Sequence, residues 1–383
     1  MMAIYLLALI CALNHIGYSG SRVVVSLYAL GLGANQFEIG VLMALYALFP
    51  LLLAIHIGKL ADRVGPRLPM LAGTAGVAVA LVLPPLLPGL FTLYLTAILI
   101  GASFNLFFIT LLGIAGGIGG EMNRGRNYAL ISLGFATASF FGPITAGFSI
   151  DHLGHLPTFL LLSTFTLLPI LMLAFRSGFL PPALKPDVAQ GKQNAYDLWR
   201  VPALRNTFIA SGIISMAWDI FQFYMPVYGH SIGLSASVIG LVLGAFAVAI
   251  FIIRSALPFL IRKSSEAEIL TYAIFVAAIA FALFPFFKNV YALSAVSFLL
   301  GLGCGCGQPM SMSLIYALSP PGRAAESAGL RVMVNNVGSL AMPILFGGIG
   351  TAFGYYPVFI LNFVVLAASG LLFRRNVASE KGS

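Results

Sequence analysis

Long apolar runs follow one another along the chain, separated by short stretches that hold nearly all of its charge. The runs predict helices over about 4–30, 37–58, 67–87, 91–117, 128–150, 157–176, 205–229, 237–260, 268–287, 291–317, 327–349 and 356–373. An α-helix needs about 20 mainly apolar residues to cross a bilayer. Lipid offers no partner to backbone N–H and C=O groups, so self-satisfied helices are expected rather than an open sheet. No ten-residue alternation of polar and apolar positions suggests a barrel. The fold class is therefore an all-α polytopic membrane protein with twelve transmembrane helices.

Punctuation between the runs supports this division. Pro84-Pro85 with Pro88-Gly89 predict one outer turn, and Asp151-His152-Leu153-Gly154-His155 predict another. The longest polar interval, 177–204, carries Pro181-Pro182, Lys185, Asp187, Lys192 and Arg200. It reads as a cytoplasmic linker between an N-terminal six-helix half, 1–176, and a C-terminal half, 205–383. An interfacial helix is expected around Tyr196-Asp197-Leu198-Trp199-Arg200.

Sliding the second half over the first reveals a repeat at an offset of 200 residues. Tyr28, Gly33, Gly40, Gly101, Pro143, Gly147, Gly154, Pro157 and Phe159 fall on Tyr228, Gly233, Gly240, Gly301, Pro343, Gly347, Gly354, Pro357 and Phe359. Turn and kink residues recurring at one offset mark the second half as a copy of the first. Six helices per copy, an even number, give both copies the same orientation, which is a parallel repeat.

Composition agrees: 60% of the 383 residues are hydrophobic and 8% charged, against about 45–50% apolar content in soluble domains. The mean hydropathy is +1.01. A net charge of +9 raises the question of nucleic acid, and its placement answers it. Sixteen of the 20 Lys and Arg fall on one side of the predicted spans, Lys288 falls on the other, and Arg22, Arg254 and Arg331 lie within spans. This positive-inside asymmetry puts both termini in the cytoplasm, with a bacterial inner membrane as the expected location. No Lys or Arg precedes Arg22, so a charged cleavable leader is not expected. Cys11, Cys304 and Cys306 sit in apolar runs and read as small packing residues rather than a redox or metal pair.

Between the second and third runs stands Gly58-Lys59-Leu60-Ala61-Asp62-Arg63-Val64-Gly65-Pro66-Arg67, which reads as a tight, wet turn. Its pattern G-x-L-A-D-R-x-G-x-R resembles the signature loop of the major facilitator superfamily of secondary transporters, with Pro66 in place of the usual basic residue. The resemblance implies two six-helix halves rocking around a central site, and a gating role for Gly58, Asp62, Arg63 and Arg67. It places Asp62 near the cytoplasmic start of the eleventh helix, whose N-terminal dipole favours a carboxylate. Arg63 and Arg67 would pair with carboxylates or lipid headgroups. The second copy has lost the loop, since Pro258, Arg262 and Lys263 occupy the equivalent positions.

In the fifth span, Gly134, Gly142-Pro143 and Ala146-Gly147 partly resemble the G-P-x-x-G-G element of the superfamily's exporters. Ordinary close packing and a bend at Pro143 are the alternative, and Pro343 repeats it in the second copy.

Ionisable groups deep in spans are costly and point to function. Arg22 lies past the middle of the first span and Asp219 near the middle of the seventh, its repeat mate. They form the expected site pair: Arg22 holds an anionic group or the empty-site carboxylate of Asp219, and Asp219 carries the proton. A permanent structural ion pair is the plain alternative. Asn14, His15, Gln222 and Tyr224 are expected at cavity depth, His15 as a titratable group or a packing residue. Arg254 and Arg331 in the cytoplasmic thirds are expected to snorkel or to form inner-gate pairs with Glu326.

The glycine runs at 113–120 and 301–307 lead into no G-x-x-x-x-G-K-[ST], and no H-E-x-x-H or G-x-S-x-G occurs. No enzyme, cofactor or metal is expected. The partners are a small solute, protons as coupling ion and the lipid bilayer, and a monomer suffices. The expected function is proton-coupled export of a small organic or amphipathic molecule. Proton symport of an organic anion held by Arg22 is the close rival, and a non-transporting receptor the remote one.

Overall fold

The computed structural model describes residues 2–118, 121–175, 178, 180, 196–320 and 323–382. Among them, twelve long helices and one short helix account for nearly all regular structure, and there is no strand. The first six are α1 (Met2–Gly31), α2 (Gln36–Val64), α3 (Arg67–Leu86), α4 (Leu90–Gly117), α5 (Glu121–Leu153) and α6 (His155–Phe175). The short α7 spans Tyr196–Trp199. Then come α8 (Pro202–Ser231), α9 (Ala236–Leu260), α10 (Glu266–Leu283), α11 (Val290–Leu318), α12 (Ala324–Phe353) and α13 (Tyr355–Gly382). Eleven are long and apolar enough to cross a membrane, and α2 carries a shorter apolar stretch over Gln36–Leu52.

The helices overrun several expected ends because intrahelical hydrogen bonding carries them through residues that read as turns. α2 continues through the signature stretch to Val64, so the wet turn shrinks to Gly65-Pro66. Gly65 ends the helix at φ 79°, a left-handed value that only glycine adopts without strain. α3 includes both Pro84 and Pro85 and ends at Leu86. α5 runs through Asp151 and His152 to Leu153, leaving Gly154 at φ 89° as the break.

α2 opens on a capping box in which Asn35 Oδ1 accepts from Glu38 N (3.0 Å) and Glu38 Oε2 accepts from Asn35 N (2.8 Å). Ser265 and Glu268 cap α10 in the same way.

The repeat is visible in element ends, backbone angles and packing. Helices α2 and α9 start at 36 and 236, α4 and α11 at 90 and 290, α6 and α13 at 155 and 355. Gly33 and Gly233 have φ 86° and 80°, and Gly154 and Gly354 have φ 89° and 79°. A Cβ on Gly101 would lie 2.5 Å from the Tyr46 carbonyl oxygen, and one on Gly301 would lie 2.4 Å from that of Phe246, the repeat mate of Tyr46. The same helix crossing occurs once in each copy.

The chain forms two compact units, Met1–Val188 with Gly229–Gly244, and Ala189–Tyr228 with Ala245–Ser383. In the second, a helix forms where one was expected around 196–200, as α7. Its Leu198, 1% exposed, packs with Leu204, Phe208 and Ile315, and Trp199 stacks on Phe208 at 5.9 Å. Most of the expected linker, 181–195, lies outside the described residues.

Candidate functional site

In the first unit, one stretch of α1 carries Asn14, His15, Tyr18 and Arg22. His15 sits among rings: Phe135 at 4.7 Å, Phe104 at 5.2 Å and Tyr18 at 5.4 Å. Tyr18 stacks on Phe104 at 4.1 Å and meets Tyr46 edge-on at 5.7 Å. The surroundings of His15 are those of a packed aromatic residue, and its Nδ1 has no hydrogen-bond partner among the described residues. Asn14 is fully buried and neither amide atom finds a partner among the described residues. Such a group costs about 1–3 kcal/mol to bury and retains capacity to bind a polar atom. Arg22 is half-buried on the same helix, beyond the ring cluster. Ser21 Oγ and Tyr46 Oη lie 3.0 Å apart and tie α1 to α2.

In the second unit, polar side chains form a ladder between α8, α11 and α12. On α8, Ser211, Ser215 and Asp219 recur every four residues and so share one face. On α12, Arg331, Asn335 and Ser339 do the same. Ser339 Oγ donates to Asp219 Oδ2. Ser211 Oγ donates to Asn335 Oδ1 (3.3 Å), and Gln308 Nε2 of α11 donates to Ser215 Oγ (3.1 Å). Arg331 Nη2 donates to the Gln308 carbonyl (3.2 Å) and to Gln308 Oε1, and its Nε donates to Ser311 Oγ (3.2 Å). A Cβ on Gly307 would lie 2.5 Å from Ile214 Cγ1, so the glycine permits the close approach of α11 to α8 that this ladder needs.

Expected site residues divide accordingly. Asp219 belongs to the ladder, Gln222 is half-buried one turn beyond, and Tyr224, 1% exposed, packs its ring 5.5 Å from Phe359. Glu326 is not the partner of Arg331: Arg323, at the N-cap of α12 and three residues away, engages it through Nε (2.7 Å) and Nη2 (3.0 Å). Arg254 is half-buried on α9. Ser211, Ser215, Ser311 and Ser339 were not among the expected residues. The four-residue spacing from Ser211 to Asp219 and from Arg331 to Ser339 puts Ser211, Ser215 and Ser339 on polar faces, though it does not say what they meet, and Ser311 carries no such signal.

At the signature stretch, Gly58 and Asp62 lie within α2, and Arg63 is exposed near its end. Arg67 donates from Nε to the Leu173 carbonyl (3.1 Å) and from Nη2 to that of Ala174. It thus caps the C-terminal end of α6 rather than pairing with a carboxylate, as expected of a guanidinium near unsatisfied helix carbonyls.

The fifth-span element is a close-packing surface. A Cβ on Gly142 would lie 2.0 Å from Ser19 Oγ of α1, and one on Gly134 would lie 2.7 Å from the Ala8 carbonyl. Its other face meets the start of α9: a Cβ on Gly147 would lie 2.3 Å from the Ala236 carbonyl, and one on Gly240 would lie 2.6 Å from that of Pro143. Pro343 occupies the matching position within α12.

With this geometry in view, the family model of the Major Facilitator Superfamily matches residues 7–290 and 269–383. The chain belongs to the major facilitator superfamily. This transporter is similar to the multidrug resistance protein MdtG of Salmonella schwarzengrund (strain CVM19633), 22% identical over 363 residues, with 89% of this chain and 87% of the relative covered. MdtG of Salmonella choleraesuis (strain SC-B67) is 21% identical over 352 residues, with the same coverage. A peptide transporter POT solved with sulfate shares the fold at TM-score 0.85, 15% identity, covering 98% of this chain and 94% of its own. The nucleoside transporter NupG does so at TM-score 0.78 and 14% identity, covering 97% and 98%.

Proposed function

We propose that this transporter is a proton-coupled antiporter exporting a small organic or amphipathic solute across the bacterial inner membrane, with both termini cytoplasmic. Asp219 carries the reading. It is the one carboxylate near the middle of a span in the sequence, on the polar face of α8, and held by Ser339. Loading a solute and ionising Asp219 would exclude one another if both use that face, which is what exchange requires. Similarity to proteins named multidrug resistance protein MdtG supports export. In this reading 1–176 and 205–383 act as the two rocking halves. A second reading, proton symport of an organic anion, is favoured by three arginines within spans, Arg22, Arg254 and Arg331.

Proton release from detergent-solubilised protein on adding cationic or neutral amphipaths tests the proposal. Release by the wild type that Asp219→Asn abolishes and Arg22→Ala preserves is the expected result. Binding of anions alone, lost in Arg22→Ala, would replace export with anion symport.

A further inference from the structure

Arg331 is 7% exposed, and no described carboxylate pairs with it. The acid nearest in sequence, Glu326, is engaged by Arg323. A guanidinium taken out of water without a counter-charge costs several kcal/mol. Neutral acceptors hold it in one pose. Nε is fixed by Ser311 and Nη2 by the carbonyl and side chain of Gln308. The remaining edge, Nη1, has only the Met312 thioether among the described residues, at 3.8 Å. Sulfur is a weak acceptor, so two charged N–H donors stand oriented without an oxygen to receive them.

The bonds that brace α11 to α12 come from Nε and Nη2, and they leave Nη1 outside the brace. What the charge adds is affinity for an oxyanion, which a guanidinium edge fits in planar geometry. The ladder also sets the distance to the carboxylate: Arg331 and Ser339, which holds Asp219, are eight residues apart on α12, about 12 Å at 1.5 Å rise per residue. The polar face therefore bears a fixed positive end at Arg331 and a titratable negative end at Asp219.

We propose that Arg331 is an oxyanion subsite of the solute-binding face, receiving through Nη1 the carboxylate of an organic anion. This assignment rests on the reading of the α8, α11 and α12 polar face as the solute site. It moves Arg331 from an inner gate to the substrate.

The test uses the full chain and three probes of one shape: naphthalene-1-acetate, its neutral amide and 1-naphthylmethylammonium. Binding is measured by tryptophan fluorescence and exchange by counterflow in liposomes. In Arg331→Gln the acetate is expected to bind ten- to a hundredfold more weakly, tenfold being about 1.4 kcal/mol. The amide and the ammonium stay within about twofold, which shows the fold intact, and Arg331→Lys, which keeps the charge without the fork, falls between. Equal loss of all three probes would make Arg331 a structural brace and overturn the subsite. So would an acetate affinity unchanged by the substitution, or a wild type that does not bind the acetate. None of these outcomes touches the export reading, which stands or falls on proton release by the ammonium and its loss in Asp219→Asn.

Discussion

Helix α9 begins without the full capping box of its repeat mate, and Asp151 supplies the difference. In the first copy, α2 caps itself through Asn35 and Glu38. In the second, Ser235 accepts from Val238 N at 3.4 Å, and the position of Glu38 is Val238, so half of the box is gone. Asp151, near the end of α5, fills the gap: Oδ1 accepts from Ala236 N (3.1 Å) and Oδ2 from Ser237 N (2.8 Å). An N-terminal helix cap is worth about 0.5–2 kcal/mol, and a carboxylate beside the helix dipole adds about 0.3–1 kcal/mol when exposed. Asp151 is exposed, so its removal is expected to cost about 1–2 kcal/mol of local stability. That corresponds to a factor of about 5–30 in the opening equilibrium. Hydrogen exchange followed by mass spectrometry on the full chain in nanodiscs reads this directly. Asp151→Ala should speed exchange in the peptide holding Ala236 and Ser237 by about that factor, and Asp151→Asn, which retains one acceptor oxygen, by less. The peptide around Gln36–Glu38 is the internal control, because its cap is its own. Unchanged exchange at 236–237, or an equal rise at both helix starts, would refute the cap.

Three further outcomes are expected. Gly101→Ala and Gly301→Ala each force a methyl into a carbonyl at 2.5 or 2.4 Å, and each should destabilise the purified protein by about 1–3 kcal/mol in thermal unfolding; tolerance of one but not the other would deny the equivalence of the two crossings. His15→Phe should keep both stability and transport, whereas His15→Ala should cost about 2–4 kcal/mol by opening a hole in the ring cluster; loss of transport in a stable His15→Phe would make His15 a titrating group. Tyr228→Phe removes the bond from Tyr228 Oη to the Phe287 carbonyl (3.0 Å) and should lower stability by about 0.5–1.5 kcal/mol without altering solute affinity, measured by thermal melts and probe binding on the same preparation.

Particular residues show how far the linear code reaches. Gly33 and Gly233, or Gly154 and Gly354, announce their turns because no other residue takes their backbone angles cheaply, so the repeat was legible at these points. Asp219 was legible as well, since a carboxylate amid apolar residues is costly wherever the helix lies. Ser339 was not: a serine in an apolar helix satisfies its own carbonyl four residues back, as it does with Asn335 (3.1 Å), and nothing local says that it also faces Asp219. His15 and Tyr224 read as cavity groups by their chemistry, yet their neighbours are mostly rings supplied by other helices. Arg331 and Glu326 were expected to pair because both lie toward the cytoplasmic end of their span, but Arg323, three residues before Glu326, reaches it through Nε and Nη2. Pro84, Pro85 and the 58–64 stretch read as turn, yet neighbouring hydrogen bonds keep them helical.

The sequence by itself determined the succession of apolar helices, the duplication and the family, because each follows from local hydropathy, a motif or a residue type that one backbone shape demands. The tertiary structure alone decided which side chains meet. Asp219 with Ser339, Arg331 with Gln308 and Ser311, Arg67 with the end of α6, and Asp151 with the start of α9 are all pairings between different helices. In a chain of apolar helices the hydrophobic pattern says only that each one enters the membrane. Which face turns toward which neighbour is set by close approach at glycines and by the satisfaction of a few polar atoms, and both exist only once the helices are packed.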